Sequence, residues 1–285
     1  MSRLLAYLGN DPERVQCALH PGRALLVDDA VGADSWGVGF YQGGEVLLRR
    51  KPKPPAAPVD FYEVASEVRT DALIGHVRRG TVGAPKDENT PPFRFRSWLF
   101  AHHGTVDGFE RIRPGLLEEV PDYLRRNLRG ETDSEHLFHR FLAELHALGK
   151  LDDPLITTTE AGRAIARMIA AIERLCAAAG ATPPELDLAV TNGRILLAVR
   201  RGAPMHLRRL QGIRDCPVCR ERSGPVAESG RGARVRPVDH EHLRAVVLVA
   251  DSPGSPGPPW QEVAERHLVA VSHALAVTIE PLGAG

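Results

Sequence analysis

Apolar residues cluster in short runs bounded by Gly, Asp or Asn at positions 4–8, 37–41, 46–48, 73–77 and 98–102. Each run is too short for a helix of ordinary length and predicts a buried strand. Between 115 and 148 the period changes. Leu137, Phe138, Phe141, Leu142 and Leu145 recur at three- and four-residue spacing, the mark of one helical face. Thr132 ahead of Asp133 and Glu135 supplies a helix start with acids in the first turn, where the helix dipole favours them. Residues 160–179, rich in Ala, Ile, Arg and Leu, predict a second helix that Gly180 ends. Strands return at 186–190, 195–200 and 245–250, with a final pair around 269–279. Two sets of strands flanking a helical middle predict helices packed outside a pair of stacked sheets, an α+β arrangement. The stretch 214–237, rich in Gly, Pro, Arg and Ser, keeps no period and is read as a long irregular excursion; 52–58 and 253–259 read as shorter loops. The expected organisation is one domain over 1–285 with the excursion near 214–240, and no internal repeat is visible.

Composition narrows the partners. A chain of 285 residues that is 43% hydrophobic can bury one large core. Its 36 basic and 36 acidic residues balance to zero, so nothing global attracts nucleic acid or an anionic membrane. Arg49-Arg50-Lys51 and Arg125-Arg126 read as solvated faces. No uninterrupted apolar run approaches membrane-spanning length, and no charged-then-apolar leader opens the chain, so a soluble cytoplasmic protein is expected.

The four cysteines, at 17, 176, 216 and 219, do not make a disulfide framework in a chain of this length. Cys17 and Cys176 lie in apolar surroundings and read as packed thiols. Cys216-Pro217-Val218-Cys219 has the form of half a zinc ribbon or a redox pair, with His240 and His242 as the remaining candidate ligands. The H-x-H spacing is tighter than zinc fingers use and no second C-x-x-C follows, so an ordinary loop is the plainer reading. No cofactor is expected.

Candidate chemistry begins at Ser2. Initiator methionine is normally removed before so small a residue, which leaves a hydroxyl and a free α-amine on one residue, nucleophile and base together. Further along come Asp34-Ser35-Trp36-Gly37-Val38-Gly39-Phe40, His76-Val77-Arg78-Arg79-Gly80-Thr81-Val82-Gly83, Asn89, Pro92-Phe93, Trp98-Leu99-Phe100-Ala101-His102-His103-Gly104-Thr105-Val106 and Gly130-Glu131-Thr132-Asp133-Ser134-Glu135. In this order the motifs closely resemble the class II glutamine amidotransferases, in the small stand-alone branch that includes the γ-glutamyl hydrolase of ergothioneine synthesis. The resemblance is specific over the first half and looser through Thr191-Asn192-Gly193, residues 246–250 and Trp260.

The resemblance implies an αββα sandwich of the N-terminal nucleophile hydrolases and a set of site residues. Arg78 would pair with the α-carboxylate of glutamine in bidentate fashion, Thr81 would stand beside that carboxylate, and Asp133 would bind the α-ammonium. The plainer alternative for Arg78 and Asp133 is an ordinary pair holding strand to helix. Two positions depart from the family. Ser2 stands where the family has its Cys nucleophile, and His103 stands where it has the oxyanion-binding Asn. A hydroxyl needs a base that a thiolate does not, and the α-amine, with a reference pKa of about 7.7–8.0, can serve. His103 replaces the missing amide donor if its ring N–H faces the oxyanion, with the Gly104 N–H as second donor. Otherwise it is a drifted position.

Two functions follow. One is an amidohydrolase that opens the γ-amide of glutamine or a γ-glutamyl compound through Ser2 and an acyl-enzyme. The other is an inactive descendant keeping the fold or pocket as a binding or regulatory module. A further reading is that Ser2 replaces a natural Cys to trap an acyl complex. The expected partner is a small glutamine or γ-glutamyl substrate, with a separate synthase or a second copy of the chain as further possibilities.

Overall fold

The computed structural model describes residues 3–223, 237–251 and 256–283. The chain opens with β1 (Arg3–Gly9), α1 (Val15–Leu19), β2 (Val27–Asp28), β3 (Ser35–Gln42), β4 (Glu45–Lys51), β5 (Val59–Asp60), α2 (Phe61–Ser66) and β6 (Ala72–Arg78). Next come β7 (Phe93–Phe95), β8 (Trp98–His103), α3 (Phe109–Glu118), α4 (Asp122–Arg125), α5 (Asp133–Ala147) and α6 (Thr158–Ala178). The last part holds β9 (Asp187–Thr191), β10 (Leu196–Arg200), β11 (Met205–Ile213), α7 (Pro217–Ser223), β12 (His240–Ala250), β13 (Gln261–Glu262), β14 (His267–Val271) and β15 (Val277–Pro281). A seven-stranded sheet has the order β13-β11-β12-β1-β6-β3-β4 and a six-stranded sheet the order β15-β14-β10-β9-β8-β7. Every pairing in the two sheets is antiparallel.

The two-residue alternation of strands builds the layers. On β1, Leu4, Ala6 and Leu8 join a buried cluster with Leu99 and Ala101 of β8 and Leu196 and Ala198 of β10, between the sheets. Leu5 and Tyr7, on the other face of β1, pack with Val15, Cys17 and Leu19 of α1 and with Phe61 of α2. On β8, Trp98 and Phe100 face the opposite way from Leu99, into a cluster with α3, α5 and α6. The result is the four-layer αββα sandwich expected above. Trp98 also sends its Nε1 N–H to the Leu151 carbonyl at 3.0 Å and meets Phe141 edge-on with ring centroids 5.4 Å apart.

The long helix α6 starts at a capping box in which Thr157 and Glu160 satisfy each other's exposed backbone N–H groups. Gly180 follows its end with a φ of 62°, a left-handed conformation open to glycine. Three readings change. The helical stretch 115–148 divides into parts of α3, α4 and α5, with Pro121 ahead of α4 and residues 126–132 between α4 and α5. Residues 205–213 form β11, a strand hidden in the sequence by Arg208, Arg209 and Gln211. The excursion is not wholly irregular, because Pro217–Ser223 is helical; its residues 224–236 lie outside the described part. Among the described residues no helix is long and apolar enough to cross a membrane.

Candidate active site

The N-terminal end of β1 lies beside the C-terminal end of β6, since Arg3 pairs with Val77. Ser2 itself lies outside the described residues. On β6, His76 and Arg78 share the face of Ala72 and Ile74, which looks into the space between the sheets. His103, at the end of β8, has the parity of Leu99 and Ala101 and faces the same space, whereas His102 has the parity of Phe100 and turns toward α5.

Arg78 is buried, and the chain itself supplies it with acceptors. Its Nη1 donates to Asp34 Oδ2 at 2.5 Å, and Nη2 donates to the carbonyls of Val82 and Gly83 at 2.5 and 2.9 Å. Asp34 also accepts the Gly80 N–H at 3.1 Å, so one ion pair fixes the turn that follows β6. Arg79 forms a second frame: its guanidinium meets Asp28 in a two-point contact at 2.7 and 3.1 Å. Burial alone would raise the Asp28 carboxyl, but hydrogen bonds from Arg79 and Ala30 and the charges of Arg79 and Arg3 outweigh it and leave the pKa below the usual value.

Asp133 is the first residue of α5 and is buried. Its Oδ2 accepts the Val106 N–H at 3.0 Å and its Oδ1 the Ser134 N–H at 2.8 Å, so the carboxylate ties the loop after β8 to the start of the helix. The preceding Thr132 caps the helix by accepting the Glu135 N–H at 3.2 Å. Ser134 reaches His102 Nδ1 at 2.9 Å, and the other ring nitrogen of His102 donates to or is held by the Glu185 carbonyl at the same distance; because a carbonyl only accepts, Nε2 carries the proton there and Nδ1 accepts from the Ser134 hydroxyl when the ring is neutral.

Gly104 adopts a φ of 137°, and a Cβ at this position would stand 2.2 Å from the Glu185 carbonyl oxygen, so only glycine fits. Thr81 Oγ1 and Thr105 Oγ1 are 3.1 Å apart. Asn89 is fully buried and links two loops, donating to the Ala84 carbonyl at 2.8 Å and accepting the Glu131 N–H at 2.9 Å.

The histidines between the sheets are neutral. Burial, with the neighbouring His102 second, lowers the His103 pKa to about 4, and Nδ1 of His103 has no hydrogen-bond partner among the described residues. His76 is pushed well below the ordinary value, first by burial and then by the charges of His103, His102 and Arg78. At neutral pH His103 therefore offers one N–H, not two.

These elements enclose a small polar cleft whose walls include Arg78, Thr81, Gly104 and Asp133. Four of the residues singled out in the sequence are thus brought together, while His103, unlike its chain neighbours His102 and Gly104, is not among the residues that line the cleft. Arg78 and Asp133 are not each other's partner: Arg78 pairs with Asp34. The sequence motifs contained Asp34, His76, His102 and Ser134 without giving them a role; the signal was their place within the same short runs. Far from this cleft, Cys216, Cys219 and His240 gather with Cys17, whereas His242 is exposed and outside that group.

The model of the class II glutamine amidotransferase family matches residues 1–280. The chain belongs to this family. Gamma-glutamyl-hercynylcysteine sulfoxide hydrolase of Mycobacterium tuberculosis is 35% identical over 117 residues, which make up 38% of this chain and 50% of that protein. The chain spans about half the length of the curated relatives it matches. Among solved structures, a glutamine aminotransferase class-II domain protein from Silicibacter pomeroyi superposes with a TM-score of 0.59 at 23% identity, covering 99% of both chains. Glutamine phosphoribosylpyrophosphate amidotransferase from Bacillus subtilis superposes with a TM-score of 0.54 at 13% identity, over 99% of this chain and 50% of that one. At these identities the two structures establish the shared fold. The polar cleft described above sits beside the start of β1, at one end of the space between the sheets.

Proposed function

We propose that this chain is a γ-glutamyl amidohydrolase in which Ser2, once freed of Met1, opens the γ-amide of glutamine or of a γ-glutamyl conjugate. The observation that supports it is the convergence of Arg78, Thr81, Gly104 and Asp133 on one cleft beside the start of β1. The Ser2 α-amine takes the hydroxyl proton as Oγ attacks the γ-carbonyl carbon, and the oxygen of the tetrahedral intermediate accepts from the Gly104 N–H. Collapse of the intermediate expels ammonia or an amine, which leaves with the proton held by the α-ammonium, and water then releases glutamate from the acyl-enzyme. Asp133 receives the substrate α-ammonium, and Arg78 its α-carboxylate.

The second reading, a binding module without turnover, is favoured by one observation. Arg78 and Asp133 already bond to Asp34, Val82, Gly83, Val106 and Ser134, as a purely structural frame would. Intact mass of the mature protein and hydrolysis of glutamine and γ-glutamyl anilide separate the two. Loss of Met1 together with turnover that Ser2→Ala abolishes supports the hydrolase. Retained Met1, or no turnover from Ser2→Cys and from Ser2→Cys with His103→Asn, overturns it in favour of the binding module.

A further inference from the structure

Outside the cleft, the densest gathering of metal-ligating atoms among the described residues joins three separate segments. Cys17 lies on α1, Cys216 just ahead of α7, Cys219 in its first turn, and His240 at the first residue of β12. Their three sulfur atoms and one imidazole nitrogen all lie within 4.8 Å of one another. Cys17 Sγ and Cys219 Sγ are 3.6 Å apart, and Cys219 Sγ is 3.2 Å from His240 Nε2. Four ligands held at zinc's bond lengths around one tetrahedral centre stand about 3.5–3.8 Å from each other, so these separations are close to those that an ion requires. They are too long for a disulfide, and all four cysteines of the chain are free thiols.

We propose that Cys17, Cys216, Cys219 and His240 form a structural zinc site. A Cys₃His set is closed, with no position for water or substrate, which is the form of a structural and not a catalytic zinc site. Softness also selects the metal, because three thiolates and one imidazole in tetrahedral array favour zinc over the hard divalent cations. Three thiolates around a divalent ion leave one net negative charge, and Arg14 stands ready to meet it, with Nη1 donating to Cys219 Sγ at 3.3 Å. All three cysteines are buried, so the site is dry on the sulfur side.

Position separates this centre from the cleft. Ala250, at one end of β12, pairs with Leu4 near the start of β1, while His240 is at the other end, ten residues away and on the order of 30 Å along the strand. The ion would act by clamping α7 and the head of β12 onto α1, three segments packed at the edge of the apolar core on that side of the first sheet. This inference does not depend on the hydrolase reading.

The test uses the full chain purified from zinc-supplemented culture without chelator. Elemental analysis is expected to give one zinc per chain, released when a mercurial blocks the thiols. Cobalt(II) exchanged into the protein should show the visible bands of a tetrahedral centre with thiolate charge transfer. Removing the metal should lower the melting temperature by ~5–10 °C. His240→Gln and Cys219→Ser should lose the ion, and His242→Ala should keep it. If the variants do not fold, metal content and the cobalt spectrum of the unmodified protein decide. Protein without zinc after supplementation, a mass lower by two hydrogens that reveals a disulfide, iron with acid-labile sulfide in place of zinc, or equal zinc loss from His242→Ala would each overturn the proposal.

Discussion

The cleft and the Cys/His centre differ in how their residues reach each other. Four wall residues of the cleft lie in or next to a strand or helix end that local sequence already signals: Arg78 ends β6 and Thr81 follows it, Gly104 follows β8, and Asp133 opens α5. The Cys/His centre joins Cys17 to Cys216 and His240 across about 200 positions, and no local pattern binds them. The cleft is held by charged and polar bonds that the chain makes to itself, whereas the other centre presents thiols and an imidazole in the geometry of ion ligands. If the proposed hydrolysis takes place in the cleft, a single substitution there disturbs both chemistry and framework. At the Cys/His centre it would disturb stability alone.

The largest effect expected is on turnover. Ser2→Ala should abolish γ-amide hydrolysis while leaving the melting temperature within about 1 °C, read by released ammonia or glutamate and by calorimetry. Unchanged activity would move the chemistry away from the start of β1. Next comes Gly104→Ala, which places a Cβ against the Glu185 carbonyl in a conformation that disfavours side chains. It should cost about 3 kcal/mol or more in denaturant unfolding.

Arg78→Ala should destabilise the fold by about 3 kcal/mol, because Asp34 and two loop carbonyls lose their donor. It should also remove any rise in melting temperature caused by millimolar glutamine, which Arg78→Lys would partly retain if charge alone matters. A glutamine-dependent shift that survives Arg78→Ala would confine this residue to the framework.

A smaller effect concerns acid. His103 has a folded-state pKa of about 4, below its unfolded value near 6.5, because burial and then His102 disfavour the charged ring. The unfolded chain therefore binds more protons between these values, and the contribution of His103 to stability is lost as pH falls from 6.5 toward 4. His139, also lowered to about 4 chiefly by burial, acts in the same direction. Asp187 acts oppositely: burial raises it to about 7, so its contribution falls as pH rises from about 4 to 7. Stability of the unmodified protein measured relative to His103→Asn should thus decline on acidification across that window, and a flat difference would contradict a neutral, buried ring. The smallest effect is expected at Arg96 and Asp152, an exposed ion pair; Asp152→Asn should change unfolding free energy by less than about 0.5 kcal/mol.

Much of the fold was legible because its physical causes are local. The strands at 4–8, 73–77 and 98–102 and the helix of residues 158–178 follow from period, capping and a terminating glycine. The strand at 205–213 was not legible, since Arg208, Arg209 and Gln211 break the apolar pattern and only pairing with β12 and β13 makes it a strand. In the cleft, sequence placed Arg78, Thr81, Gly104 and Asp133 together through their motifs, but Asp34 as the partner of Arg78 and Val106 as a donor to Asp133 follow from how the β6 turn and the β8 loop fold back.

The sequence by itself determined the two-residue and helical periods, the order of motifs, and hence the layers and family, because these depend on residues close in the chain. Tertiary structure decided the rest. It turned His103's face of β8 toward the space between the sheets and buried that ring in its neutral form. It also brought Cys17 within 3.6 Å of Cys219 and left His242 outside. Burial and meetings between distant segments arise only when sheets and helices close on one another, so no local pattern can encode them.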